Sequence, residues 1–137
     1  MRRSLLVLLA LATAAPLITA MAAPPRVRIV APKRNATVRG ESVTVRFKAE
    51  GIAIVPATGL KEEGKAHHHL FVDADLTPAD SVIPKTPQIH HLGNGADSLV
   101  LTGLAPGRHR LIAVMAWGTH VPVAGARTDT ITITVTP

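Results

Sequence analysis

Thr130-Ile131-Thr132-Ile133-Thr134-Val135-Thr136 alternates a threonine with an aliphatic residue at every step. A period of two puts the three aliphatic side chains on one face of an extended strand and the threonines on the other. Threonine suits the solvent side because its branched β-carbon is at home in extended backbone. The pattern recurs upstream. Val43, Val45 and Phe47 alternate with Thr44, Arg46 and Lys48, between Gly40 and Gly51. Val27, Ile29 and Ala31 alternate with Arg26, Arg28 and Val30 until Pro32 ends the run. Further strands are predicted at residues 67–73, 98–102 and 109–117. No stretch of ten or more residues has helical periodicity, so the expected class is all-β, an immunoglobulin-like antiparallel β-sandwich. Two stretches lack a clear period. One is 50–65; the other, 74–97, carries Pro78, Pro84, Pro87, Gly93 and Gly95 and is long for a connection without structure of its own.

Residues 1–22 read differently. Arg2 and Arg3 precede an apolar run at 5–11, and small residues lead to Ala20-Met21-Ala22. A basic start, a short apolar centre and a small-residue end describe a secretory signal peptide. The run is too short for a spanning helix, which needs about 20 apolar residues, and Pro16 follows closely. The expectation is a periplasmic or secreted protein, cleaved after Ala22 or, as second choice, Ala23. A single β-sandwich domain at 23–137 would remain, with no transmembrane segment.

The chain has 15 lysines and arginines against 9 acidic residues, and loss of Arg2 and Arg3 leaves 13 against 9. Arg26, Arg28, Lys33, Arg34, Arg39, Arg46 and Lys48 are spread out rather than gathered in a block. Only Phe47, Phe71 and Trp117 could stack on bases, so a solvated basic face is expected and no nucleic-acid partner. Cysteine is absent, which excludes disulfides, thiol catalysis and cysteine-ligated metals. Met115 is the one methionine in 23–137, which argues against methionine-rich copper ligation.

His67-His68-His69 heads the apolar run Leu70-Phe71-Val72, and His90, His91, His109 and His120 follow. On a strand His67 and His69 share a face with Phe71, while His68 lines up with Leu70 and Val72 and is expected in the core. Residues two apart are separated by roughly 6.5–7 Å, so two imidazoles can converge on one ion with bonds of about 2.0–2.1 Å. His90, His91 and His120 lie in predicted loops that could bring further ligands. The candidate metal ligands are thus His67, His69, His90, His91 and His120, and Cu²⁺ or Zn²⁺ suits neutral imidazole. Binding is expected to weaken below about pH 6 as the rings protonate. The protein would be a small exported module binding a divalent transition metal.

A second reading stands beside this one. Each histidine would hydrogen-bond a backbone carbonyl or a carboxylate, in a structural or interaction module of the cell envelope with an envelope protein or glycan as partner. His109 follows Pro106-Gly107 in phase with Leu111, Ala113 and Met115, where immunoglobulin-like domains set a tyrosine corner. It is expected to enter the core as a structural tether. No catalytic residue emerges: there is no G-x-S-x-G elbow, and Glu62-Glu63 reads as a solvated charge pair in a polar loop. The expectation is no enzyme, with a metal-dependent hydrolase as the remaining catalytic option. Asn35-Ala36-Thr37 fits the glycosylation acceptor pattern.

Four ordered blocks resemble a bacterial exported family known as domain of unknown function 4399. His67-His68-His69-Leu70-Phe71-Val72-Asp73 is similar to its histidine-triplet motif, and Ile89-His90-His91-Leu92-Gly93-Asn94-Gly95 to its I-H-x-x-G-x-G block. Leu104-Ala105-Pro106-Gly107-Arg108-His109-Arg110-Leu111 resembles L-x-P-G-x-H-x-L, and His120-Val121-Pro122 with 131–135 resembles the end. The likeness spans residues 65–135. Val123 stands where the family often has a second histidine, and Ala96 where glutamine is usual. If the family motif holds a metal, the resemblance implies one ligand fewer here. It implies a fold and a location, and no activity.

Overall fold

The computed structural model describes residues 21–137; residues 1–20, most of the expected signal peptide, lie outside the described residues. Nine strands follow one another: β1 Arg26–Ala31, β2 Thr37–Arg39, β3 Val43–Glu50, β4 Ala53–Ile54, β5 Lys65–Val72, β6 Ile89–Leu92, β7 Ser98–Leu101, β8 Gly107–Ala116 and β9 Asp129–Thr136. The described residues contain no helix. One sheet has the order β1-β3-β7, and the other runs β2-β9-β8-β5-β4 with β6 also on β5. With β3, β5, β7, β8 and β9 as B, C, E, F and G, the split of BE against CFG is that of an immunoglobulin-like sandwich.

Two features differ from the expectation. The sandwich is not wholly antiparallel, because β2 runs parallel to β9 and β4 parallel to β5. Both are short edge strands whose three and two residues carry too little alternation to be read from sequence. The stretch 74–97 is also not all loop, since β6 lies within it. Ile89 and Leu92, three apart, face opposite sides, so no period appears in four residues. The strand exists because β5 offers it a free edge, pairing His69 with His91 and Leu70 with His90.

The inward face of each alternating strand builds one core between the sheets, with Val27, Val45, Phe47, Leu70, Leu111 and Ile133 at its centre. A second apolar cluster lies outside the larger sheet, where Phe71, Ile112 and Val114 are covered by Ile83. Residues 74–88 therefore fold back across the outer face, held by the burial of Ile83, which is 4% exposed and contributes about 2 kcal/mol. This cover buries β5 on both sides: every residue after Lys65 in that strand is buried. That is why a histidine triplet, rather than an apolar–polar alternation, marks it. On the opposite surface of the molecule, Arg26 and Arg28 converge on Glu50, whose carboxyl their hydrogen bonds lower to about 2.

Candidate metal centre

Three neighbouring pieces of backbone bring four imidazoles to one place outside the larger sheet. Strand alternation puts His67 and His69 on the same face of β5. Direct pairing of His69 with His91 puts the β6 ring on that face too. The cross-strand neighbours on β8 are Ala116 for His67 and Val114 for His69, and the small alanine leaves space above the sheet. His120 comes from the turn after β8, where its N–H donates to the Trp117 carbonyl at 2.8 Å. Its φ of 66° lies in the left-handed region, which histidine adopts more readily than most residues.

The geometry fits one ion. The Nε2 atoms of His67 and His69 are 2.9 Å apart, and those of His91 and His120 are 3.1 Å apart. One ring nitrogen from each of the four lies within 4.8 Å of all the others. Ring centres are 4.7 Å apart for His91 and His120, 5.8 Å for His69 and His120, and 4.8–5.0 Å for the other pairs. A tetrahedral ion with bonds of about 2.0–2.1 Å would hold its nitrogens about 3.4 Å apart and the ring centres about 5 Å apart. A square-planar ion would separate two ring pairs by more than about 6 Å, wider than any pair here.

Electrostatics point the same way. Burial, with the charges of His91, His120 and His68 behind it, lowers the His67 ring to about 4. Burial lowers His69 further, to about 3, with His67 and His91 as the next contributors. His91 is lowered by burial, then by His120 and Lys85. These rings are neutral at neutral pH, the state a metal requires. For His67, His69 and His91, proton competition with an ion would set in below the pH of about 6 expected from unperturbed imidazole.

The remaining histidines divide. His90 is the candidate ligand that stays apart: paired with Leu70, it faces the space between the sheets and is not in the group of four. His68, 1% exposed, packs its ring 5.0 Å from Phe47 in the core, and neither of its nitrogens has a partner among the described residues. His109 donates from Nδ1 to Asp73 at 2.7 Å and from Nε2 to the Ala105 carbonyl at 2.8 Å. It sits at the end of the β5–β8 ladder, facing Asp73, and not in the core as its phase suggested. The Nδ1 atoms of His67 and His69 are also buried without partner, so the triplet finds no carbonyl or carboxylate to staple.

Three contributors escaped sequence reasoning. Gly93 leaves the space occupied by the His91 ring, and a methyl there would collide with it. Gly118 lets the His120 turn pass the Leu60 carbonyl. Ile83 ties the cover to the site, since its N–H donates to the His120 carbonyl at 2.8 Å. A Gly two residues after a histidine, and an apolar pair Val82-Ile83 inside a proline-rich stretch, were the available signals.

A family model described as "Domain of unknown function (DUF4399)" matches residues 45–136. No curated protein matches the chain by sequence. Among solved structures, an engineered protein from a structural genomics programme is similar at 14% identity, with a TM-score of 0.46. The match covers 84% of this chain and 21% of that one, so the chain spans about a fifth of its length.

Proposed function

The chain belongs to the family described as domain of unknown function 4399, and from that premise we propose that it is a small exported module that holds one divalent transition metal ion. His67, His69, His91 and His120 are the ligands. One observation carries the reading: four ring nitrogens, from three separate segments, lie within 4.8 Å of one another with no carboxylate in the group. The near-equal ring separations favour a tetrahedral ion, hence Zn²⁺ over Cu²⁺. Export rests on the tripartite pattern of residues 1–22.

The test is metal content and calorimetry on residues 23–137, expressed without a histidine tag. One equivalent of Zn²⁺ is expected, bound well below micromolar and lost on His67→Ala plus His69→Ala. Micromolar or weaker binding that survives the double substitution would overturn the proposal.

A further inference from the structure

The four-histidine cluster lies beside a cleft of about 430 Å³. Val82, Ile83 and Ile89 form its apolar wall, Lys85 is its one cation, and His69 and His91 reach into it. That volume is in the range of pockets that hold small organic ligands. Val82 is 61% exposed, an apolar side chain left open to solvent at the rim. The cleft thus combines an apolar wall, an ammonium group and the edge of the candidate metal site.

An ion held by four neutral imidazoles keeps its full charge of 2+, so the next group to approach it is an anion. Zinc in some sites expands from four ligands to five. His67 and His69 are sealed in, at 0% and 2% exposure, whereas His91 is exposed and His120 partly so. An incoming ligand therefore approaches past His91 and His120, the side on which the cleft opens. A phosphate dianion would call for several converging donors, and the cleft offers a single lysine. A carboxylate with a short hydrocarbon tail matches one cation plus an apolar wall.

We propose that this cleft binds a small aliphatic monocarboxylate, with its head on the metal ion and beside Lys85 and its tail along Val82, Ile83 and Ile89. The inference rests on the metal reading above and adds the class of ligand that the site takes. A more polar recess borders His91 and His120 on another side, lined in part by Asn94 and Ser98. That recess also carries Leu92 and Leu99 but lacks Lys85, so Lys85→Gln separates the two approaches.

The experiment loads the untagged protein with Co²⁺, whose visible band is intense when tetrahedral and weakens on five-coordination. Acetate, propanoate and butanoate are then titrated. The half-saturation concentration is expected to fall by about two- to fourfold for each added methylene. Lys85→Gln, compared at full Co²⁺ loading, is expected to raise it by about two- to fivefold. An unchanged band at saturating carboxylate overturns this inference and leaves the metal site standing. So does a response indifferent to either chain length or Lys85→Gln. Failure to take up Co²⁺ overturns the metal reading, and this inference with it.

Discussion

His109 shows how one residue can hold a corner of a sandwich without a core position. Both its ring nitrogens face acceptors, the Asp73 carboxylate and the Ala105 carbonyl, so the fold favours the protonated ring, which donates from both. The Ala105 carbonyl, followed by Asp73, raises its pKa above the ordinary 6.5. A raised folded value means the folded state holds its proton more tightly than the unfolded one. The stabilisation is full below about pH 6.5 and declines as pH rises through the raised value. The melting temperature of the wild type should exceed that of His109→Ala by more at about pH 6 than at about pH 9, by roughly 2–5 °C. Melts that give the same difference at both pH values would refute the charged tether. His68 is the converse case, a buried ring without partners, kept in the core by packing against Phe47 rather than by hydrogen bonds.

At the scale of elements, the short strand β6 sets the site. It is four residues long, yet its register against β5 decides that His91 and not His90 joins His69. A slip of one residue would exchange the two rings between faces. Gly93, just past the strand, does not have a positive φ, so alanine is compatible with the backbone there, and the three atoms nearest its methyl all belong to the His91 ring. Gly93→Ala should therefore push the imidazole aside and leave the fold intact. Calorimetry is expected to show Zn²⁺ affinity falling at least about tenfold, in the range of losses from disturbed ligand orientation, with the melting temperature of the metal-free protein unchanged within about 2 °C. Unaltered affinity would show that His91 does not need its observed seat.

For the whole molecule, the cluster joins side chains from two paired strands and from the turn after β8. His67 and His69 belong to β5, His91 to the edge strand β6, and His120 to a turn that also hydrogen-bonds the cover at Ile83. An ion bound only by the folded state stabilises it by about 2.7 kcal/mol at a concentration 100 times its Kd. For a domain of this size that corresponds to a rise of roughly 10 °C in melting temperature. Scanning calorimetry should show the rise with Zn²⁺, its reversal by a chelator, and none in His67→Ala plus His69→Ala. A melt indifferent to Zn²⁺ and chelator would favour the purely structural module. The all-β class, the long strands at 26–31, 43–48 and 130–136, and the division of the triplet into a pair on one face and a core residue on the other were all legible in sequence. Each follows from the period of two, a property that an extended strand carries by itself. The choice of His91 over His90, the cover at 74–88 and the meeting of β5, β6 and the His120 turn were decided only by tertiary structure. They depend on register between strands distant in sequence and on space left by Gly93, Gly118 and Ala116, and a residue string encodes neither locally.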